Sequence, residues 1–246
     1  MHVETNETLD DLGYSGLKVY QARKGYRFSL DPFLLAGFAR LASFSGTLVD
    51  LGCGNGVLPL LAAAWSQARS IIGIERQPAM VGRARRSVVL NGLEGRVRIE
   101  QGRVQEVSRF VPVQSVDLVL TNPPFRRPGS GRIAPGDERG AARHELDGSL
   151  EDFLRAAAFV LRNGGRLCLV HLSERLADVF CGMRAVNIEP KRVRLVHPRV
   201  GEPANLVLVE GRRASAPGLE VEPPLYVYER DGYSQQVEGC YRGGSL

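Results

Sequence analysis

The sequence predicts an α/β fold in which a mostly parallel sheet of seven strands carries helices on both faces. Short apolar strand candidates alternate with helix candidates from residue 47 onward, which is typical of a parallel sheet. The last two strand candidates, 192–196 and 206–209, follow one another without a helix between them. Because their connection is short, the final strand is expected to run antiparallel to the others.

Residues 1–45 are predicted to form a short extension that precedes the sheet. Its elements are a hairpin of strands 17–21 and 26–29 with a turn near Gly25, and a helix that ends near Gly46. Asp31 is the candidate N-cap of that helix, and Pro32 occupies its first helical position. Residues 1–13 show little pattern and are expected to fray.

Residues 46–246 are predicted to form the main domain, with an extra strand near the C-terminus. The strand candidates are 47–51, 70–74, 96–100, 115–120, 166–170, 192–196, 206–209 and 225–228, and the helix candidates are 56–65, 78–90, 149–161 and 173–186. Segment 126–148 interrupts the alternation and is rich in Gly, Pro and Arg. A loop of this length in a compact domain is usually functional or disordered.

The composition excludes several classes of protein. Apolar residues make up 43% of the 246 residues, and no apolar run is long enough to span a membrane, so no membrane partner is expected. The polar, acidic N-terminus differs from signal and transit peptides, which predicts a cytoplasmic protein. The four cysteines lack metal-ligand spacing, so reduced thiols and no metal site are expected. The net charge of +5 permits an anionic partner without requiring one.

A glycine-rich turn, Asp50-Leu51-Gly52-Cys53-Gly54-Asn55-Gly56, follows the first sheet strand and opens a helix. Glycines allow the backbone to turn sharply and to approach a ligand closely. Glu75 ends the next strand, where a carboxylate can accept hydrogen bonds from ribose hydroxyls. The spacing differs from the dinucleotide fingerprint, and Asp50 would repel a phosphate. A plain βα turn is the simpler interpretation, but the combination favours a site for a nucleoside.

A second motif, Asn122-Pro123-Pro124-Phe125, ends the fourth sheet strand. Prolines often end strands, so a structural role alone is one interpretation. A planar amino nitrogen is a poor nucleophile, and its methylation requires acceptors that hold the N–H bonds. The Asn122 side-chain carbonyl and the rigid Pro123 backbone carbonyl can be those acceptors, and Phe125 can stack on a planar target. We therefore predict that these four residues are catalytic.

Both motifs resemble those of the class I S-adenosylmethionine-dependent methyltransferases, written Asp-x-Gly-x-Gly-x-Gly and, for amino methyltransferases, Asn-Pro-Pro-(Tyr/Phe). The resemblance implies a Rossmann-like seven-stranded sheet with an antiparallel last strand, and S-adenosylmethionine as cofactor. It also implies that the turn 52–56 wraps the methionine part and that Glu75 holds the ribose. The predicted cofactor-binding residues are Arg27, Asp31, Asp50, Gly52, Gly54, Gly56, Glu75, Arg76, Gly102, Arg103 and Asn122.

One position departs from the family pattern. Many members carry an acidic residue after the third strand to contact adenine, whereas this chain has Gln101-Gly102-Arg103 there. Stacking of Arg103 on the adenine, or a backbone contact, would replace that interaction.

Further segments resemble the bacterial tRNA1(Val) adenine N6-methyltransferases: residues 27–36, 142–145 and 233–234. This resemblance implies that the substrate is a tRNA adenosine next to the anticodon, and that Arg27 and Asp31 border the cofactor site. The loop arginines could contact RNA phosphates around the target base, and a solvated loop is the simpler interpretation; they are Arg126, Arg127, Arg132, Arg139 and Arg143.

Other acceptors stay open. The second motif is also compatible with guanine N2 in rRNA and with a protein glutamine amide, although the short N-terminal extension leaves no room for the helical domain of glutamine methyltransferases. A non-catalytic module that binds cofactor or RNA is a remote alternative. A monomer is expected, and a weak dimer is an open possibility.

Overall fold

The computed structural model describes residues 3–13, 16–24, 27–125 and 148–246. Its strands are β1 (Glu7–Asp11), β2 (Lys18–Ala22), β3 (Thr47–Leu51), β4 (Ser70–Glu75), β5 (Val97–Gln101), β6 (Val116–Thr121), β7 (Leu161–Leu172), β8 (Ile188–His197), β9 (Leu206–Arg213), β10 (Glu220–Val221), β11 (Leu225–Tyr226), β12 (Tyr228–Glu229) and β13 (Gly232–Tyr233). Its α-helices are α1 (Asp31–Phe38), α2 (Val57–Trp65), α3 (Pro78–Leu90), α4 (Leu150–Val160), α5 (Leu176–Ala185) and α6 (Gln235–Tyr241). Short 3₁₀ turns cover Leu41–Ser43, Val104–Arg109 and Ser173–Arg175.

The central sheet has the strand order β10-β8-β9-β7-β6-β3-β4-β5, and β11 pairs with β8 beside β10. Strand β3 pairs in parallel with β4 and β6, and β6 pairs in parallel with β7. Strand β9 lies between β7 and β8 and is antiparallel to both. The expected mostly parallel sheet with an antiparallel last strand is therefore confirmed.

Two apolar layers cover the faces of the sheet. Successive residues of β3 point to opposite faces, so Leu48 packs in the layer that contains α1, α2 and α3, whereas Val49 packs in the layer that contains α4 and α5. Neighbouring Leu118 and Val119 of β6 divide in the same way. A strand covered on both faces has no solvent side, which explains why these segments are continuously apolar.

The N-terminal hairpin forms, but from other strands than the sequence predicts. Strand β2 pairs antiparallel with β1, whose residues were expected to fray, while residues 27–29 form no strand and residues 25–26 lie outside the described part. The expected second strand at 26–29 is therefore wrong. Strand β1 is ordered because Glu7 is buried in ion pairs with arginines of α3.

Helix α1 differs from its prediction at both ends. Leu30 precedes the helix and Asp31 is its first residue, with no side-chain hydrogen bond capping the terminus, so the N-cap assignment of Asp31 is wrong. Pro32 does lie in the first turn. The helix ends before Gly46 because Arg40 adopts a left-handed φ of 53°.

The C-terminal region contains a helix that the sequence interpretation missed. Ser234 caps α6 by accepting a hydrogen bond from the Val237 N–H at 3.3 Å. The Tyr241 ring lies 4.4 Å from that of Phe33 in α1, so this helix covers the N-terminal extension. The expected strand 225–228 is divided between β11 and β12. The proposed division into residues 1–45 and 46–246 stays a prediction.

Candidate functional site

A cleft opens at the carboxyl edge of the parallel strands, where open α/β sheets bind ligands. Its empty volume, counted out to the mouth, is about 920 Å³. The predicted cofactor residues that line it are Asp50, Gly52, Gly54, Glu75, Arg76, Gly102, Arg103 and Asn122. Both motifs of the sequence therefore contribute to one cleft.

The two motifs meet because their strands are neighbours. In the parallel pair β3–β6, Leu51 lies opposite Thr121, and the buried Thr121 hydroxyl donates a hydrogen bond to the Leu51 carbonyl at 2.8 Å. Gly52 directly follows β3, and Asn122 directly follows β6. The two motifs therefore leave the sheet side by side at the same edge.

The glycine turn, residues 52–56, is held against β4 and α3. The N–H groups of Gly52 and Cys53 donate to the Ile74 carbonyl at 2.8 and 3.0 Å. Gly52 has a φ of 77°, and a Cβ there would lie 3.1 Å from the Phe153 ring. A side chain at this position would be both strained and crowded, so only glycine fits.

The Glu75 carboxylate shapes the same turn. One oxygen accepts a hydrogen bond from the Gly54 N–H at 3.0 Å, and the other accepts from the Gln77 N–H at 2.8 Å. Each carboxylate oxygen has room for more than one donor, so these bonds leave acceptor capacity for a ligand. The predicted ribose contact of Glu75 stays a prediction.

Asp50 is a buried carboxylate without a hydrogen-bond partner in the described part of the chain. Its side chain is 1% exposed, and neither oxygen accepts a hydrogen bond there. Burial and the charge of Glu75 raise the pKa of Asp50 well above its ordinary value. A carboxylate in this state suits a cationic ligand group that donates hydrogen bonds.

The Asn-Pro-Pro-Phe motif turns from the cleft towards β7. Asn122 and Pro124 line the cleft, Pro123 is buried, and Phe125 is half-buried outside the set of lining residues. The Phe125 ring centroid lies 5.3 Å from that of His171, and the Phe125 carbonyl accepts a hydrogen bond from Arg175 at 3.4 Å. These contacts fix the position of Phe125.

His171, which the sequence interpretation did not single out, is fully buried beside Phe125. Its Nδ1 atom accepts a hydrogen bond from the Leu172 N–H at 2.9 Å. Burial and the nearby Arg175 lower the pKa of His171 to about 4, so the ring is neutral at pH 7. In the sequence it is one histidine at the end of a strand, and no local pattern marks it.

Three predicted cofactor residues do not line the cleft. Arg27 donates to the Thr8 hydroxyl at 3.0 Å and pairs with Asp10 of the hairpin. Asp31 is half-buried, and burial raises its pKa. Gly56 backs onto α3, where a Cβ would lie 3.1 Å from that of Ala84. Contacts of Arg27 and Asp31 with the cofactor stay predictions.

Several apolar residues complete the cleft, among them Phe28, Met80 and Phe153. In the sequence they cannot be told apart from core residues, because all three are apolar and no local motif marks them. The predicted RNA-binding residues Arg126, Arg127, Arg132, Arg139 and Arg143 lie outside the described residues, as does His144.

Two further observations limit the chemistry of the described ranges. Within them, no group of three or more His, Cys, Asp or Glu side chains is placed to hold a metal ion. The search of the same residues finds no helix with the length and apolar character needed to cross a membrane.

Residues 32–188 match the family model described as the methyltransferase small domain. The chain belongs to this family. The matched range includes both motifs and most of the central sheet, and it makes the protein a class I methyltransferase whose cofactor is S-adenosylmethionine.

Curated relatives of this methyltransferase are named as tRNA1(Val) (adenine(37)-N6)-methyltransferases. The one from Porphyromonas gingivalis strain W83 is 30% identical over 210 residues, which cover 83% of this chain and 78% of the relative. That from Dyadobacter fermentans is 27% identical over 190 residues, 75% of each chain. Among solved structures, a predicted O-methyltransferase from Agrobacterium tumefaciens has a TM-score of 0.73 at 24% identity, covering 88% of this chain and 98% of its own. That likeness shows a shared fold.

The cleft of this methyltransferase fits its cofactor. S-adenosylmethionine carries a positively charged amino group and a sulfonium ion, and it supplies the activated methyl group. The unpartnered Asp50 carboxylate and the Glu75 carboxylate place two anionic groups at the cleft. Since a side chain at Gly52 would meet Phe153, the backbone is bare at this position and can approach the methionyl part closely.

Proposed function

We propose that the protein transfers a methyl group to the exocyclic N6 amine of an adenine in tRNA. The supporting observation is that Asn122 and Pro124 line the same cleft as the glycine turn, on adjacent strand ends. A planar amine held by the Asn-Pro-Pro-Phe motif would thus face the sulfonium. The names of the curated relatives support adenine in tRNA as the acceptor.

In this proposal, Asn122 and Pro123 hold the amine. The Asn122 side-chain carbonyl and the Pro123 backbone carbonyl accept hydrogen bonds from the two N–H groups of the amine. This arrangement favours a nitrogen whose lone pair points at the methyl group. Pro123 is buried, so its carbonyl is held in place. Phe125 stacks on the base, supported from behind by His171.

When bound, S-adenosylmethionine would supply its methyl group to the nitrogen and leave as S-adenosylhomocysteine, and the methylated amine would carry a positive charge. That amine is acidic and releases a proton to water, so no strong base is required. His171 is consistent with this scheme, because its pKa of about 4 makes it neutral and only weakly basic at pH 7.

The tRNA would be bound through its phosphates. The chain carries 32 lysine and arginine residues against 27 acidic residues, and arginines follow Phe125 directly in the sequence. We propose that Arg126, Arg127, Arg132 and Arg143 contact phosphates around the target base. A cytoplasmic monomer is the proposed working form.

Methyl transfer from radiolabelled S-adenosylmethionine to total tRNA lacking this modification tests the proposal. The expected product, after nucleoside analysis, is N6-methyladenosine, and Asn122→Ala should reduce transfer at least about 100-fold, the scale of a lost transition-state hydrogen bond. Methylated guanine or glutamine as the main product would refute the adenine assignment. Absence of transfer to tRNA, rRNA and protein alike would instead support a binding module.

A further inference from the structure

The N-terminal hairpin docks onto the helix that supports the glycine turn. The Tyr20 N–H donates to the Ser87 hydroxyl at 3.0 Å, and the Lys18 N–H donates to the Asn91 side chain at 3.0 Å. The Arg86 guanidinium also lies 4.6 Å from the centre of the Tyr20 ring. The hairpin therefore covers the outer side of α3.

A chain of buried polar groups runs from this hairpin to the cofactor cleft. The Glu7 carboxylate of β1 is 3% exposed and lies 3.4 Å from Nε of Arg83, which is 5% exposed. The Nη1 atom of Arg83 then donates a hydrogen bond to the Asn55 side-chain oxygen at 3.1 Å. Asn55 belongs to the glycine turn and lines the cleft.

These contacts fix the orientation of the Asn55 amide. A guanidinium has only donors, so the atom that faces Arg83 must be the amide oxygen. The other atom of the amide group, the nitrogen, therefore does not bond to Arg83. It is buried and has no hydrogen-bond partner among the described residues. An unsatisfied buried donor is unfavourable in the absence of an acceptor.

We infer that the Asn55 amide donates a hydrogen bond to the carboxylate of the methionyl part of the cofactor, and that Glu7 and Arg83 are positioning residues for this donor. A carboxylate is the strongest acceptor that the cofactor offers to a neutral amide. The backbone next to Asn55 packs closely on α3, since a Cβ at Gly56 would lie 3.1 Å from that of Ala84. The Asn55 side chain is therefore held against α3. The hairpin thereby contributes to cofactor affinity without touching the cofactor.

Two ligands separate this contact from general damage to the cleft. S-adenosylhomocysteine carries the amino-acid carboxylate, whereas 5′-methylthioadenosine retains the nucleoside and lacks that group. Isothermal titration of purified Asn55→Ala should show about 10-fold weaker binding of S-adenosylhomocysteine or more, the scale of a lost bond to a charged group, with 5′-methylthioadenosine unchanged. Equal losses for both ligands, or no loss for either, would overturn the assignment.

The relay is tested by Glu7→Gln, with Glu4→Gln as its matched control. Glu4 is an exposed residue of the same segment, and it approaches Arg86 at 3.8 Å. We expect Glu7→Gln to weaken S-adenosylhomocysteine binding at least about 3-fold and to leave 5′-methylthioadenosine unaffected, since Arg83 loses the carboxylate that holds it against Asn55. If Glu4→Gln has the same effect, or Glu7→Gln has none, the relay is refuted.

The double variant Glu7→Gln/Arg83→Met removes both members of the buried Glu7–Arg83 pair, so that no unpaired charge is left at position 83, and Arg86 keeps Glu4 as a partner at 3.8 Å. It should show the same ligand-dependent loss as Glu7→Gln or a larger one, with a folded near-ultraviolet circular dichroism spectrum. Wild-type affinity in this folded double variant would contradict the inference. These titrations contain no RNA, so their outcome is independent of the proposed acceptor.

Discussion

Asp50→Asn should stabilise the cofactor-free protein and weaken cofactor binding. Asp50 is 1% exposed, has no hydrogen-bond partner in the described residues and lies near the Glu75 carboxylate, so its ionised form is unfavourable. Asparagine removes the charge at the same size. The asparagine amide also lacks a partner, so the gain is only the extra cost of burying a charge rather than a neutral group, about 1–2 kcal/mol. A change of 1 kcal/mol shifts the melting temperature of a domain of this size by about 2–4 °C. We expect a rise of about 5 °C.

The pH dependence has a defined sign. Because the folded-state pKa of Asp50 is raised, the folded protein holds this proton more tightly than the unfolded chain. The stabilisation by the protonated carboxyl is therefore present below the unfolded pKa and is lost as the pH rises towards the folded value. The wild type should lose stability over this range relative to Asp50→Asn, which has no proton to release there.

Cofactor affinity should change in the opposite direction. Asp50 is placed to pair with a cationic group of the cofactor, and loss of a charge-assisted hydrogen bond weakens binding by about 10- to 100-fold. Differential scanning fluorimetry without ligand and isothermal titration with S-adenosylmethionine measure the two effects.

Asp117→Asn is the matched control, since Asp117 lies on β6 but accepts hydrogen bonds from the Thr47 N–H and from Arg162. This variant should melt at a lower temperature and bind the cofactor normally. An Asp50→Asn protein that melts below the wild type, or that binds S-adenosylmethionine with unchanged affinity, would refute the reasoning.

Three further substitutions have defined outcomes. Gly52→Ala should weaken S-adenosylmethionine binding at least about 10-fold in titrations, because its Cβ meets Phe153 at 3.1 Å and its φ is 77°. The pKa of His171 is lowered from 6.5 to about 4 in the folded protein. Its neutral ring therefore contributes about 3 kcal/mol to the free energy of unfolding above pH 6.5, and this contribution is lost as the pH falls to about 4. Urea titrations of His171→Gln at several pH values should lack this dependence. Glu210→Gln removes the buried carboxylate that pairs with Arg192 at 2.8 Å and with Arg166 at 3.2 Å, while Glu222 still pairs with Arg192; it should lower the free energy of unfolding by about 3 kcal/mol with normal cofactor affinity.

Each of these has an outcome that would contradict it. Wild-type binding by Gly52→Ala would mean that the turn can relax away from Phe153. An unchanged pH profile in His171→Gln would mean that His171 is not responsible for the acid sensitivity. For Glu210→Gln the control is Glu238→Gln, an exposed partner of Arg242 at 3.9 Å, and equal losses in both variants would contradict the burial argument.

Local sequence signals located the regular elements of the sheet domain well. Helix α3 has the predicted bounds, Pro78–Leu90, because a proline begins it and Asn91-Gly92 ends it. Strand β3 also has its predicted bounds. Such signals act within a few residues of the chain, so they can be read without knowledge of the fold.

The errors occurred where distant residues decide the structure. Strand β1 contains acidic and polar residues with no strand pattern, and it is ordered by pairing with β2 and by ion pairs from Arg83 and Arg86. Helix α6 is short, and it is held by contacts with α1. Neither set of contacts leaves a local signal in the sequence.

The sequence by itself determined that the sheet is mostly parallel and that its last strand is antiparallel, and it predicted the chemistry of the two motifs. These follow from strand–helix alternation and from residue types at fixed local spacing. Only the tertiary structure decided that Asp50 is an unpartnered buried carboxylate, that Phe153 closes over Gly52, and that Glu7 of the hairpin reaches Asn55 through Arg83. Burial and hydrogen-bond partners depend on contacts between elements far apart in the chain, and the local sequence pattern does not indicate these contacts.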